Sequence, residues 1–383
     1  MTRLVRDRRT WLTYSQLGVY GWFLYGFGPA LTLLRDEQGF SRTVAGLHGT
    51  ALAVGALLSA LVVAPMTARF GRLRLIWAGL VLMCVGMVVL CSFTVLPATL
   101  GGAMLCAFGG SFVVTCTTTV LASVHHSAAP AAITEANAVA AGVGAVAPLA
   151  VAVALTLGSW RAALLVLLPV VAVLALTERR TPKPAESGAT PDRGRSAPLG
   201  RRYWVSWVVV TAGIAVEFCL TLWSADMLQH RTGLSPAGAS AAVTALVAGM
   251  CLGRTAGGRL SLRFAIDHLL YAGIALNVAG FALFWATTAP APAVTGLFAC
   301  GVGLSLYYPL GMARAIAASE GRPDQASARV GLGAALASGA GPFLLGAMAD
   351  ATSIHLAMLL VPCLLVVAAV GIRIAPARLP APA

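Results

Sequence analysis

The 383-residue chain is 58% hydrophobic and only 10% charged, with a mean hydropathy of +0.85. A soluble domain carries about 25% charged residues, so a water-soluble fold is excluded and lipid must be the solvent for most of this chain. The net charge of +13 comes almost wholly from arginines in short segments between apolar runs, with no aromatic-interleaved basic domain, which excludes a nucleic-acid partner.

Arg3, Arg6, Arg8 and Arg9 precede an apolar run near 12–34, longer than the apolar region of a secretory signal and read as a first membrane span. Further runs of spanning length lie near 46–64, 75–94, 97–121, 132–157, 160–177, 203–227, 236–257, 269–288, 292–317, 327–348 and 354–374. The polar stretch 178–202, rich in Pro, Gly, Ser and Arg, reads as a flexible linker. The expected fold is an all-α membrane protein of twelve transmembrane helices: a six-helix bundle over 1–177, a cytoplasmic linker loop over 178–202 and a second six-helix bundle over 203–383. With both termini cytoplasmic, 22 of the 26 basic residues fall on the cytoplasmic side. Only Arg35, Arg42, Arg161 and Arg231 fall on the other, as the positive-inside rule requires.

The eight cysteines lie inside apolar runs without metal-ligand spacing, and His125-His126 has no Cys or Glu at ligand spacing, so neither a disulfide framework nor a metal site is expected. No P-loop, HExxH or GxSxG-type element occurs, so ATP-driven pumping, hydrolysis and cofactor chemistry are not expected and the chain does not read as an enzyme.

A constant offset of 194 residues aligns the two halves without a gap. It pairs Gly39 with Gly233, Ser41 with Ser235, Arg69-Phe70 with Arg263-Phe264, Gly79 with Gly273, Gly86 with Gly280, Gly102 with Gly296, Cys106 with Cys300, Gly109 with Gly303 and Pro148 with Pro342. Six spans per repeat is an even number, so the halves enter the membrane in the same sense, as a parallel repeat about an axis along the membrane normal.

Twelve spans, a parallel repeat and a basic central loop together resemble the major facilitator superfamily. The family's signature between spans two and three, roughly G-x-L-x-D-R-x-G-R-R, is matched in APMTARFGRLR (64–74) at Arg69, Gly71 and Arg72, with Ala64 and Ala68 where the first Gly and the Asp would stand. The second-half copy, GRLSLRF (258–264), keeps Gly258, Leu260 and Arg263, with Leu262 in place of the Asp. GSWRAALL (158–165) and GAGPFLLGAMAD (339–350) also look like the family, the latter echoed by Gly144-Ala145-Val146-Ala147-Pro148.

The resemblance implies a monomeric secondary transporter that binds a small molecule near the bilayer midplane, between spans one, four, seven and ten. It implies a conformational latch at Arg69, Gly71, Arg72, Gly258 and Arg263. The simpler reading of those arginines is topology anchoring. Two departures argue against a standard drug/proton antiporter: the fourth span lacks the usual Arg beside a Gln-Gly pair, and the first span lacks an acid, offering Tyr14, Gln16, Tyr20 and Tyr25.

Glu217 stands 14 residues into the seventh span, about 21 Å along a helix and close to the midplane, while the other twelve acids fall in loops or at span ends. A charge there costs at least ~2.5 kcal/mol, so Glu217 is expected to face a cavity or to be protonated, and to carry a proton or coordinate substrate. The alternative is a protonated Glu hydrogen-bonded for packing. Thr221 and Ser224 share its face.

Other cavity candidates are Gln16 and Tyr20 in the first span, Ser111 and Thr115 in the fourth, and Tyr307 and Tyr308 in the tenth, although small hydroxyls also serve packing. Pro148, Pro309 and Pro342 are expected kinks. Arg254 and Arg314 read as snorkelling anchors, the alternative being a gate ion pair with Glu135 or Asp324.

The resulting expectation is a multi-pass transporter of the cytoplasmic membrane, driven by an ion or substrate gradient. Its partners are membrane lipid, a small-molecule substrate and protons, and the reading leans to export of a small, largely apolar compound. Uptake of a small organic solute is the alternative, and a non-transporting sensor or membrane enzyme is the alternative from another class.

Overall fold

The computed structural model describes residues 6–125, 128–179, 181, 198–261 and 263–377, excluding the side chains of 130, 258, 259, 323 and 324. Most of the expected linker, together with His126 and Leu262, lies outside the described residues. The elements are α1 (Arg8–Gln38), α2 (Arg42–Phe70), α3 (Arg72–Ser92), α4 (Leu96–His125), α5 (Ala129–Thr156), α6 (Arg161–Leu165), α7 (Leu167–Glu178), α8 (Arg201–Thr232), α9 (Pro236–Ala242), α10 (Thr244–Leu260), α11 (Ile266–Ala286), α12 (Pro290–Leu304), α13 (Tyr307–Ala317), α14 (Pro323–Ala351), α15 (Ile354–Ala357) and α16 (Leu360–Ile374). No strand occurs among the described residues. The pairs α6–α7, α9–α10, α12–α13 and α15–α16 each make one interrupted span, which gives twelve helices long and apolar enough to cross a membrane.

Three of the four interruptions have one cause. Pro169, Pro309 and Pro362 each stand at the third residue of the helix that follows the break, in α7, α13 and α16. Proline lacks the N–H that would bond the carbonyl four residues back, and its ring crowds that carbonyl, so the helix yields just upstream. α5 and α14 run unbroken through Pro148 and Pro342.

The chain divides into two compact units: residues 1–30 with 51–192, and residues 31–50 with 193–383. The division passes through α1 and α2, so the hairpin between them groups with the second-half helices.

Inside each unit the duplicated glycines bring helices into backbone contact. In the first unit, a Cβ on Gly79 would lie 2.5 Å from the Gly109 carbonyl oxygen, and one on Gly86 would lie 2.7 Å from that of Gly102. In the second, the corresponding distances are 2.8 Å for Gly273 to Gly303 and 2.7 Å for Gly280 to Gly296. Lipid tails are as apolar as leucine, so helices associate through such close van der Waals contact and not through solvent exclusion. The thiols follow the same register: Cys106 donates to the Met83 carbonyl (3.4 Å) and Cys300 to that of Asn277 (3.6 Å). The turns repeat too. Gly39 and Gly233 take left-handed φ values of 64° and 67°, conformations open to glycine without a Cβ penalty. Ser41 and Ser235 then accept from the third amide onward, at Val44 (3.2 Å) and Gly238 (3.1 Å), capping α2 and α9.

At one end of the second unit, Arg314 is 1% exposed. It pairs with Asp267 in the first turn of α11, donates to the Ala375 carbonyl past the end of α16 and reaches Ser206 of α8 at 3.3 Å. The Ala377 amide donates to the other Asp267 oxygen at 2.7 Å. Arg314 is therefore a buried clamp across several helix ends, not a snorkelling anchor. It satisfies carbonyls that a helix C-terminus leaves orphaned.

Gly86→Ala and Gly280→Ala should each lower stability by about 1–3 kcal/mol through overpacking. Gly101→Ala, whose added Cβ meets nothing within 4 Å, should not. Thermal unfolding of the three purified variants in detergent measures the difference.

Candidate functional site

In the second unit, α8 and α10 bring two opposite charges together at Glu217. The carboxylate, on α8, has a side chain only 15% exposed, and Arg254 of α10 places a guanidinium nitrogen 4.0 Å from it. Tyr308, in the first turn of α13, lies within electrostatic reach of the same carboxylate. The interruption before Pro309 positions Tyr307 and Tyr308 at the start of α13, so the proline acts on the site through the break. Tyr307 is buried with its ring against Gly213 of α8, where a Cβ would meet the ring at 2.6 Å. Its hydroxyl has no hydrogen-bond partner among the described residues, and neither do the buried hydroxyls of Thr221 and Ser224. Such groups cost free energy when left dry, and they are what a polar ligand or water would satisfy.

Sequence reasoning brought Glu217, Thr221, Tyr307 and Tyr308 to this unit but missed Arg254 as the partner. A guanidinium inside an apolar span needs a counter-charge as much as a carboxylate does. That symmetry, applied to the two intramembrane charges together, is the signal that would have paired them.

The first unit holds the remaining candidates. Gln16 is 1% exposed, and neither of its amide atoms has a partner among the described residues. Tyr20, one helical turn on, lies against Gly110 of α4, where a Cβ would meet its ring at 2.5 Å. Ser111 adjoins that contact and turns its hydroxyl back to the Ala107 carbonyl (2.9 Å), while Thr115 is exposed. The two units thus share a device, an aromatic ring seated on a glycine of the facing helix, with Tyr20 on Gly110 in one and Tyr307 on Gly213 in the other.

The signature loop is plain in geometry. Gly71 links α2 to α3 with φ 83°, which accounts for the glycine. Arg69 is exposed and stacks over Phe70 at 5.2 Å. Arg69, Arg72 and Arg263 form no ion pair among the described residues, and Gly258 falls within α10.

Glu135 pairs with neither Arg254 nor Arg314. It binds Arg6 and accepts from Tyr14 (3.1 Å), at an end of the first unit where Arg9 also binds Glu178 through two 2.8 Å contacts. The side chain of Asp324 lies outside the described residues. Nearby, burial pushes the Asp7 carboxyl up, but bonds from the Thr10 amide (2.8 Å) and hydroxyl (2.6 Å) outweigh it and hold the group below the ordinary carboxylate range.

Glu217 is also not the only buried acid, as the sequence suggested. Asp226, nine residues on, has no exposed side-chain surface. It reads as a span-end residue in sequence and is enclosed only by tertiary packing.

The sequence profile of the Major Facilitator Superfamily matches residues 15–224 and 205–383. The chain belongs to that superfamily. Its structure is similar to a bacterial homologue of the human lysosomal transporter Spinster in an inward-facing, occupied conformation, with TM-score 0.79, 15% identity, and coverage of 96% of this chain and 95% of that one. It is similar also to a variant of the nucleoside transporter NupG (TM-score 0.77, 14% identity, 96% and 99% covered) and to a variant of the E. coli fucose:proton symporter FucP (0.65, 16%, 96% and 98%). No curated relative matches the sequence. The protein is a multi-pass membrane transporter of the secondary type, with the superfamily's two-repeat fold.

Removing one member of the Glu217–Arg254 pair takes away an opposite charge 4.0 Å from the other inside the spans. Glu217→Gln and Arg254→Gln should each destabilise the protein. The double variant should lose less than the sum, with an interaction energy of about 0.5–3 kcal/mol. Chemical or thermal unfolding of the four proteins measures the coupling.

Proposed function

We propose that this superfamily member is a proton-coupled exporter of a small, largely apolar compound, working by alternating access with Glu217 as the coupling group. The carrying observation is the Glu217–Arg254 pair, a titratable carboxylate set against a guanidinium between α8 and α10 of one unit inside membrane spans. With Glu217 ionised, the pair is neutral. Protonation removes the negative charge that Glu217 sets against Arg254, so the two protonation states favour different arrangements of α8 and α10. That is the differential free energy a coupled transporter requires. Gln16, Tyr20, Ser111, Thr115, Thr221, Tyr307 and Tyr308 supply aromatic faces and hydroxyls for the substrate, a set suited to an apolar compound with few polar groups. Arg69, Gly71, Arg72, Gly258 and Arg263 form the conformational latch in another state of the cycle.

In this reading the protein is a monomer in the cytoplasmic membrane with both termini inside. Residues 1–177 and 203–383 are its two bundles, joined by a cytoplasmic linker over 178–202. The arginine distribution supports the orientation, with 22 basic residues on one side against four on the other.

The experiment begins with solutes that raise the unfolding temperature of the purified protein, since a ligand bound only to the folded state stabilises it. Their counterflow in vesicles is then measured under pH gradients of either sign. Export predicts substrate movement opposite to the proton gradient, and uptake predicts movement with it. Glu217→Gln should abolish the pH dependence and reduce gradient-driven transport by about tenfold or more, the range over which positioned proton-transfer groups act. Unchanged, pH-sensitive transport by Glu217→Gln rules out its proton role.

A further inference from the structure

Arg201 and Arg202, which open α8, line a cavity of about 200 Å³ together with Val205 of α8 and with Ile374 and Ala375 at the end of α16. Both arginines are exposed, and neither pairs with a carboxylate among the described residues. Arg373, in the last turn of α16, is exposed as well. The acids at this end are engaged by other partners. Asp267 holds Arg314 and the Ala377 amide (2.7 Å), and Glu320, beside Gly200, pairs with Arg322 at 3.4 Å. Neighbouring like charges repel, so a cavity walled by two guanidinia favours an anionic occupant.

The walls are held from behind. Arg314 binds the Ala375 carbonyl and reaches the Ser206 hydroxyl at 3.3 Å, and that hydroxyl donates to the Arg202 carbonyl at 3.0 Å. Gly371 lets α16 lie directly on α8, since a Cβ there would stand 2.6 Å from a Val209 methyl. The buried clamp therefore ties both sides of the cavity to one frame, and a ligand bound there pays little to order the backbone.

The same helix ends set its depth in the bilayer. The spans Arg201–Thr232 and Ile354–Ile374 start and finish here. Trp204 is 41% exposed and packs edge-on against Tyr203 (5.4 Å) and Trp207 (5.8 Å), with Arg329 over its ring at 5.3 Å. Exposed aromatic rings of this kind mark the headgroup level. Ile374 is 56% exposed, so apolar surface adjoins the arginines. A soluble anion would use only the cationic part of this site, whereas a phospholipid uses both.

We propose that the cavity binds an anionic glycerophospholipid of the adjoining leaflet, with Arg201 and Arg202 on the headgroup phosphate and Val205 and Ile374 against the acyl chains. Guanidinium matches phosphate oxygens through paired N–H donors. In the orientation proposed above this leaflet is the cytoplasmic one. The site is separate from Glu217, and its test depends on neither the coupling role nor the orientation.

The full-length protein, purified in dodecyl maltoside, is titrated with dioleoylphosphatidylglycerol, and bound lipid is counted by native mass spectrometry. Dioleoylphosphatidylcholine and inorganic phosphate are the comparison ligands. An arginine near a membrane surface adds about fivefold to the affinity for anionic lipid, so Arg201→Gln with Arg202→Gln should weaken the tightest phosphatidylglycerol site about thirtyfold. Arg74→Gln with Arg179→Gln removes the same charge from exposed arginines of the first unit and should leave that site unchanged. Ile374→Glu, at an exposed position, should weaken it about fivefold. Equal affinities in the two arginine double variants overturn the proposal, as does phosphatidylcholine binding as tightly as phosphatidylglycerol. Inorganic phosphate that displaces the lipid at equal concentration overturns the lipid as occupant. If the Arg201/Arg202 variant loses its fold in size-exclusion chromatography, Ile374→Glu decides, and unchanged affinity there overturns the proposal.

Discussion

Hydrocarbon offers a backbone amide nothing to bond with, and this constraint shapes the molecule more than any side-chain contact does. Every spanning segment must close its own backbone hydrogen bonds, so the spans are helices and charge within them is confined to a few places. Proline relaxes the rule at fixed points. Pro169, Pro309 and Pro362 each interrupt a span just upstream of themselves. The break before Pro309 matters for the site because it sets Tyr307 and Tyr308 at the head of α13, with the Tyr307 ring against Gly213 of α8.

The same solvent removes the hydrophobic drive between helices, and glycine takes its place. The contacts Gly79–Gly109 and Gly86–Gly102 recur 194 residues later as Gly273–Gly303 and Gly280–Gly296, with the cysteine thiols bonding carbonyls in the same register. What was duplicated is a set of close approaches, which explains why the sequence retains glycines at these positions while the residues between them drift.

Charges are answered in three ways. Arg9–Glu178 and Arg314–Asp267 are tight pairs with a buried arginine, tied to helix ends, the geometry of fixed structure. Asp226 is buried between Arg35 and Arg42, of which Arg42 stays partly wet. Glu217 and Arg254 are looser, 4.0 Å apart, with the Arg254 side chain 27% exposed. A loose, partly hydrated pair can exchange a partner for a proton or a solute at a smaller penalty than a dry one. That difference separates the coupling candidate from the clamps.

Composition, span length and arginine placement determined the twelve spans, because insertion in lipid depends on local apolarity and on charge at the ends, both local properties of the chain. The constant offset determined the duplication, and Glu217 stood out because a carboxylate among twenty apolar residues is visible without a structure. Tertiary structure decided the pairings. Arg254 and Arg314 looked alike in sequence, yet one meets Glu217 and the other is sealed among helix ends, because partners distant in the chain are chosen by packing. Asp226 looked like an ordinary span-end acid until the α1–α2 hairpin enclosed it. A residue's burial is set by what the rest of the chain lays over it, and no local pattern encodes that.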